Sequence, residues 1–142
     1  MGLIIDTGVL ITLERLQNPT LLAAWESQGP GFLSAITCSE LLVGVHKADS
    51  PQRRSQRSAF VENILETFPI LEFDLASARA HAQILAQLPR GVMVDAHDLL
   101  IGATALRHGM PVLTGNGKDF ARIPGLTVLD FNVGAVSGPE RA

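Results

Sequence analysis

Three carboxylates occupy equivalent points of a repeated pattern in this sequence. Asp6 follows the apolar run of residues 3–5, Glu40 follows a second apolar run, and Asp98 lies in the first turn of a helix that begins on Asp95. Parallel strands that alternate with helices bring such positions to one edge of a sheet, where ligands bind. Carboxylates crowded there repel one another, and their pKa values rise unless a cation lies between them. The pattern therefore predicts a metal site.

The donor atoms at this edge indicate which metal it would take. No Cys or His residues pair at zinc spacing, so the ligands would all be oxygens. Such a set favours Mg²⁺ or Mn²⁺ over Zn²⁺. Mg²⁺ takes one or two carboxylates and keeps several waters, which leaves room for a phosphate oxygen and an attacking water. His97 and His108 could be ligands or bases, but a structural role fits their positions equally well.

Helix capping is the simpler explanation of each acid taken alone. Thr37 and Glu40 fit a capping box, which would put Glu40 in the first turn of its helix. Asp95 and Asp98 suit the positive end of a helix dipole, where each acid stabilises the helix by roughly 0.3 to 1 kcal/mol. Capping does not explain why all three acids fall at one edge of the sheet.

The elements that must position these acids alternate between strands and helices. Apolar runs predict strands over residues 3–5, 32–36, 69–73, 111–114 and 126–129. Between the strands, apolar spacing predicts helices, one of them over residues 20–27 and a last short one over residues 119–122. The polar residues 48–57 are expected to form a loop. The fold class is therefore α/β, with three α/β/α layers and a mostly parallel central sheet flanked by helices.

Length and composition suggest one soluble domain. With 142 residues, 46% of them hydrophobic, the chain can bury one core, and we expect a domain over residues 1–133 and a frayed tail over residues 134–142. No apolar run approaches the roughly 18 residues of a membrane span, and no charged leader precedes one. The single cysteine, Cys38, fits a reducing cytoplasm.

The charge balance restricts how the chain could meet nucleic acid. A net charge of −3 argues against binding by bulk positive charge. A local cluster could still contact phosphate, although a solvated helix face explains it as well. The basic residues of this cluster are Lys47, Arg53, Arg54 and Arg57.

Four segments of the sequence resemble the PIN domain: IIDTGVLI, LSAITCSELLVG, HDLLIGATALRHGMPVLTGNGKDF and ARIPGL. More narrowly, they resemble the VapC-type toxins of bacterial toxin-antitoxin modules. The resemblance spans residues 3–129. It implies a cytoplasmic, Mg²⁺- or Mn²⁺-dependent endoribonuclease that forms a homodimer, with RNA as substrate. It also implies a small VapB-type antitoxin whose tail inhibits the site.

The resemblance assigns roles to individual residues. Asp6 matches the first acid of the family, Glu40 the acid of its SEL motif and Asp98 the acid that opens HDLLI, so these three are the expected metal-site residues. Thr7 would orient the first acid or a phosphate. The implied mechanism has Asp6 and Asp98 bind Mg²⁺ while Glu40 binds or positions a water. The metal activates this water for in-line attack on the phosphate, which would leave a 5′-phosphate.

Two positions depart from the family pattern. Gly8 stands where many members have Asn, and Asn116 stands where a fourth acid often sits. Asn116 would supply an oxygen without a charge, and Asp119 could substitute for the acid from the next turn or merely cap a helix. A second metal would then be held more weakly than in a four-acid site. The alternative is a PIN-like RNA-binding or regulatory domain with weakened catalysis.

Two other classes begin with an acid after the first strand. Haloacid-dehalogenase phosphohydrolases need a second Asp two residues later, where this chain has Gly8. Response-regulator receivers need paired acids at the first strand and a lysine after the last strand. The paired acids are missing here, so both classes fit the sequence less well.

Overall fold

The computed structural model describes residues 2–132. Its strands are Leu3–Ile5 (β1), Gly31–Ser34 (β2), Ile70–Leu71 (β3), Val112–Thr114 (β4) and Val128–Asp130 (β5). Its α-helices are Thr7–Leu16 (α1), Ala35–His46 (α2), Pro51–Thr67 (α3), Leu75–Gln87 (α4), Ala96–His108 (α5) and Gly117–Phe120 (α6), and a 3₁₀ helix spans Pro19–Gln28. The tail predicted over residues 134–142 lies outside the described residues. Within residues 2–132, no helix has the length and apolar character needed to cross a membrane.

All five strands form one parallel sheet in the order β3-β2-β1-β4-β5. The chain builds outward from β1 to β3, then returns to the other side of β1 to form β4 and β5. The strand order therefore reverses between β1 and β4, where Ile4 pairs with Val112 and Ile5 with Leu113. Ligands of open α/β sheets bind at the carboxyl ends of the strands beside such a reversal. The predicted α/β fold is confirmed, and its topology marks this crevice as the place for a site.

Alternate residues of the central strands face two separate hydrophobic clusters, as the two-residue period of a strand requires. Leu3 and Ile5 lie in one cluster, together with buried residues of α1, α2 and α3. Ile4 lies in the other cluster, with Ile84 of α4 and Ile101 of α5. Helices therefore cover both faces of the sheet, and the side chains at its carboxyl edge remain available for chemistry.

Helix α5 begins and ends where the sequence predicts. The Asp95 side chain caps it by accepting hydrogen bonds from the backbone N–H of His97 at 3.0 Å and of Asp98 at 3.4 Å. At the other end, Gly109 adopts the left-handed conformation with φ of 67°, which glycine accommodates without strain. These ends place Asp98 in the first turn of the helix.

Helix α2 begins earlier than the capping-box pattern predicts. Ser34 is its N-cap, because the Ser34 side chain accepts a hydrogen bond from the N–H of Ile36 at 3.0 Å. The capping box of Thr37 and Glu40 is therefore wrong, and Glu40 lies in the second turn. The serine that ends β2 satisfies the N–H of Ile36 in the first turn of α2, and the Thr37 and Glu40 side chains make other contacts.

The predicted loop over residues 48–57 is also wrong, because most of it belongs to α3. Ser50 caps this helix by accepting from the N–H of Arg53 at 3.1 Å, and Pro51 occupies its first turn, a position that proline favours. The polar composition that suggested a loop is instead an exposed helix face. Two smaller differences concern helix type and position: residues 19–28 are 3₁₀ rather than α-helical, and α6 covers residues 117–120 instead of 119–122.

Candidate active site

Asp6 lies at the centre of the carboxyl edge of the sheet, between β1 and β4. One of its oxygens accepts a hydrogen bond from the backbone N–H of Thr7 at 2.8 Å, and the other accepts from the Thr114 hydroxyl at 2.7 Å. The residue is only 8% exposed. Burial raises the pKa of Asp6, the two hydrogen bonds partly oppose that rise, and the charge of Glu40 adds to it. The carboxylate is therefore held in one orientation at the strand reversal.

Glu40 connects α1 with α5 across the same edge. Its Oε1 accepts a hydrogen bond from the Thr7 hydroxyl at 2.5 Å, and its Oε2 lies 2.8 Å from Nδ1 of His97. The Thr7 and Thr37 hydroxyl oxygens are 3.0 Å apart. The hydrogen bond to Glu40 raises the pKa of His97. Glu40 is thus fixed through both oxygens, and Thr7 contacts both Asp6 and Glu40.

Asp98 is surrounded by negative charge. Its pKa is raised to about 6, first by burial and then by the charges of four neighbouring carboxylates. In order of decreasing effect these are Asp6, Asp95, Asp119 and Glu40. Acids from the end of β1, from α2, from the start of α5 and from α6 therefore all act on Asp98, which is the crowding that the sequence predicts.

Asn116 lies between two of the acids. Its backbone N–H donates to Thr114 Oγ1 at 2.8 Å, and its side-chain Nδ2 donates to Asp119 at 2.9 Å and to Asp98 at 3.3 Å. The structure therefore turns the amide nitrogen, rather than the oxygen, toward the carboxylates. Asp119 also lies 3.7 Å from Nη1 of Arg122.

The five site residues predicted from the sequence come together in one hydrogen-bonded and electrostatic cluster. They are Asp6, Glu40, Asp98, Asn116 and Asp119. His97 joins the cluster through Glu40. His108 does not, because it lies in the last turn of α5, at the opposite end of that helix from Asp98.

Two residues of the cluster were not predicted to belong to the site. Thr37 and Thr114 are both fully buried, and their hydroxyls contact Thr7 and Asp6. One signal was available for Thr114, since a hydroxyl that ends the apolar run Val112-Leu113 must find a buried partner. Thr37 gave no such signal, because its place in the capping-box pattern explained it.

The basic cluster of residues 47–57 is largely occupied by neighbouring groups. Arg53 makes an ion pair of 2.9 Å with Asp49, and Arg57 lies 3.8 Å from Glu14. Arg57 also donates to the Gly44 carbonyl at 3.4 Å. Much of this positive charge is therefore offset locally, and the cluster adds no clear phosphate site.

The acids fit a hydrated divalent ion better than a closed metal cage. Within residues 2–132, no three His, Cys, Asp or Glu side chains are arranged to enclose an ion. Both oxygens of Asp6 and of Glu40 contact protein groups. Mg²⁺ is commonly held by one or two carboxylates together with waters and phosphate oxygens. The oxygen-only donors and the mutual repulsion at Asp98 match that mode of binding.

Comparison with known proteins places this architecture in a family. Residues 3–126 match the PIN domain. Ribonuclease VapC1 of Rickettsia felis is 41% identical over 130 residues, which cover 91% of this chain and 96% of the relative. The tRNA(fMet)-specific endonuclease VapC of Salmonella typhimurium is 35% identical over 100 residues, 70% of this chain and 74% of the relative.

A solved structure supports the same relationship. The crystal structure of DNA-bound VapBC from Salmonella typhimurium contains a chain that matches this one with a TM-score of 0.82 and 28% identity. The match covers 93% of this chain and 99% of the other. The resemblance seen in the four sequence segments is thus confirmed. The chain belongs to the PIN domain family, among the VapC ribonucleases.

Proposed function

We propose that this chain is the toxin of a toxin-antitoxin module and cleaves RNA internally, with Mg²⁺ or Mn²⁺ as cofactor. The observation that carries the proposal is the cluster of Asp6, Glu40 and Asp98 at the strand reversal of a PIN-domain sheet. A simple capping role does not account for the cluster, because Asp6 is the only one of these three acids that caps a helix, and Asp95 rather than Asp98 caps α5. Glu40 makes no capping contact and is held by two side chains instead.

Asp6, Asp98 and Glu40 are the residues that would hold the ion. When bound, the ion would offset charge on the scissile phosphate and lower the pKa of a water nucleophile. Asp98 supports this assignment, because burial and then four neighbouring carboxylates disfavour its ionised form, and a bound cation would offset the charge of those neighbours. Asn116 and Asp119 flank Asp98 on the side of α6.

The surrounding residues keep these acids oriented. Thr7 donates to Asp6 through its backbone and to Glu40 through its hydroxyl. Thr114 fixes the other oxygen of Asp6, and His97 fixes the other oxygen of Glu40. Side chains that are already oriented lose little freedom when ion and RNA bind, so more of the binding free energy remains to stabilise the transition state.

RNA and a VapB-type antitoxin are the proposed partners, and a cytoplasmic homodimer is the proposed state of the toxin. Transfer RNA is the first substrate to examine, because the Salmonella relative is named a tRNA(fMet)-specific endonuclease. The similarity to the VapBC structure supports an antitoxin of the VapB type. Cys38 is a buried free thiol, as a reducing compartment allows.

Metal-dependent cleavage tests the proposal directly. Purified protein is incubated with total RNA and with transfer RNA in Mg²⁺, Mn²⁺ or a chelator, and the products are analysed for size and for 5′-phosphate ends. We expect internal cleavage only when a divalent ion is present. Asp98→Asn should lower the cleavage rate by at least about a hundredfold, since a metal ion contributes several kcal/mol to transition-state stabilisation.

Glu66→Gln is the matched control, because it removes an exposed carboxylate from α3, away from the cluster. It should cleave RNA at the wild-type rate, and circular dichroism should show that both variants are folded. A folded Asp98→Asn variant with full activity would contradict the proposed site. RNA binding without cleavage in any metal would favour the weakened, regulatory PIN-like domain.

A further inference from the structure

Asn116 contacts two carboxylates with a single nitrogen. Its Nδ2 lies 2.9 Å from Asp119 Oδ2 and 3.3 Å from Asp98 Oδ2, so these two oxygens are no more than about 6 Å apart. An ionised carboxylate can only accept hydrogen bonds, and both contacts therefore require the amide to donate. The two acceptors also determine which way round the amide stands.

The backbone of Asn116 anchors this donor to the sheet. Its N–H donates to Thr114 Oγ1 at 2.8 Å, and the Thr114 hydroxyl donates in turn to Asp6 at 2.7 Å. Thr114 is fully buried, so the anchor is part of the core. Although Asn116 is the N-cap residue of α6, its side chain makes no capping hydrogen bond. The amide is therefore used for the acids and not for the helix.

Arg122 does not replace this link. Its Nη1 lies 3.7 Å from Oδ1 of Asp119, the oxygen that Asn116 does not contact, and makes a shorter hydrogen bond of 2.7 Å to the Met93 carbonyl. Arg122 thus offsets part of the charge on Asp119 from the far side. Within the described residues, the hydrogen bonds that join Asp98 to Asp119 pass through Asn116.

We propose that Asn116 is a positioning residue, whose amide nitrogen holds Asp98 and Asp119 together where an aspartate of the same shape would push them apart. The inference rests on the proposed function, because it concerns how the acids of that site are kept in place. A neutral donor shared by two carboxylates offsets part of their repulsion before an ion binds. In this role Asn116 acts through the two acids that it contacts.

The thermal midpoint of the metal-free protein tests this role. Asn116→Asp keeps the side-chain shape but replaces the donor with a third negative charge, whereas Asn116→Ala removes the amide without adding a charge. In a chelator, we expect Asn116→Asp to lower the Tm by at least about 3 °C, and Asn116→Ala to lower it less. Asn63→Asp makes the same chemical change on the exposed face of α3 and should leave the Tm unchanged.

An exchange of the two side chains separates positioning from a general structural effect. The double variant Asn116→Asp with Asp119→Asn restores one donor and one acceptor between positions 116 and 119, while the contact with Asp98 stays lost. We expect its Tm to exceed the value that the two single changes predict when added. Should Asn116→Asp fail to fold, Asn116→Ala and Asp119→Ala give the same cycle. Additive changes, or an equal Tm for the Asn116→Asp, Asn116→Ala and Asn63→Asp variants, would overturn the proposal.

These measurements use neither metal nor RNA, and they therefore stand apart from the test of nuclease activity. If the protein does not cleave RNA but its exchange variant exceeds the additive Tm, the role of Asn116 stands and the proposed function fails. If the protein cleaves RNA but the changes in Tm are additive, the proposed function stands and the role of Asn116 fails.

Discussion

The hydroxyl of Thr114 donates a hydrogen bond of 2.7 Å to the carboxylate of Asp6 and joins residues 108 positions apart in the chain. The same oxygen accepts from the backbone N–H of Asn116 at 2.8 Å. One buried hydroxyl therefore sets the position of the acid at the end of β1 and of the turn that follows β4. The two sides of the proposed site depend on this contact.

Thr114→Val removes both hydrogen bonds with little change in volume. It leaves one oxygen of a buried carboxylate without its partner, so we expect the free energy of unfolding to fall by about 2 to 3 kcal/mol. Loss of this donor also removes one of the effects that lower the pKa of Asp6. Urea unfolding measures the fall in the free energy of unfolding. The cleavage rate should drop by at least about tenfold, which corresponds to 1.4 kcal/mol in the barrier.

Thr104→Val is the control for that change. Thr104 is as deeply buried as Thr114, but its hydroxyl donates to the Leu100 carbonyl within α5. That carbonyl keeps its ordinary helical hydrogen bond when the hydroxyl is lost, so both stability and cleavage should change little. Equal losses in the two variants would show that the Asp6 contact has no special importance.

Asp98 should make the stability of the metal-free protein depend on pH. Its pKa is raised from 3.8 to about 6 in the folded chain, so between these values the folded state binds more protons than the unfolded state. The free energy of unfolding should therefore fall as the pH rises from about 4 to about 6 and then stay level. Because Asp98 is partly exposed, we expect a fall of less than about 3 kcal/mol.

Asp98→Asn isolates this contribution from the other titrating groups. Because an asparagine side chain cannot ionise, the free energy of unfolding of this variant should fall less with rising pH than that of the wild type. The difference is the contribution of Asp98. Urea titrations of both proteins in a chelator, at matched pH values across this range, provide the comparison. Parallel curves would show that the pKa of Asp98 is not raised.

His97 should affect how tightly the site binds its ion. His97→Ala removes the partner of Glu40 Oε2, whereas His97→Gln keeps a group that can donate to it. We expect His97→Ala to raise the Mg²⁺ concentration for half-maximal cleavage by about tenfold, with a smaller effect on the maximal rate. His97→Gln should recover much of this loss.

His108→Ala provides the matched control, since the same residue is removed from the opposite end of α5. Its Mg²⁺ dependence should equal that of the wild type. The positioning role of His97 fails if both alanine variants shift the Mg²⁺ dependence equally, or if the Gln variant is no better than the Ala variant.

Helix ends were predicted correctly from the sequence where a local pattern allowed a single interpretation. Asp95 and Gly109 define the ends of α5 because only certain residues suit the two ends of a helix. The pattern from Thr37 to Glu40 misled the prediction, because α2 begins at Ala35 with Ser34 as its cap. The Thr37 and Glu40 side chains contact Thr7 instead, and such tertiary contacts leave no trace in local spacing.

The role of Asn116 was beyond prediction for another reason. The oxygen and nitrogen of a side-chain amide have nearly the same shape. Knowing that residue 116 is an asparagine therefore does not predict which of these two atoms faces the acids. Only the placement of Asp98 and Asp119 as neighbours requires the nitrogen. The start of α3 was missed similarly, because a polar helix face and a polar loop have the same composition.

The central position of β1, paired with β4, has a consequence for the synthesis of this protein. A nascent chain that has reached only β3 already contains Asp6 and Glu40, but Asp98, Asn116 and Asp119 have yet to be translated. Strand β1 can pair with β4 only after the ribosome has added about a hundred further residues. The acid cluster therefore assembles only after α6 has been made, and a polypeptide interrupted before α5 lacks three of its members.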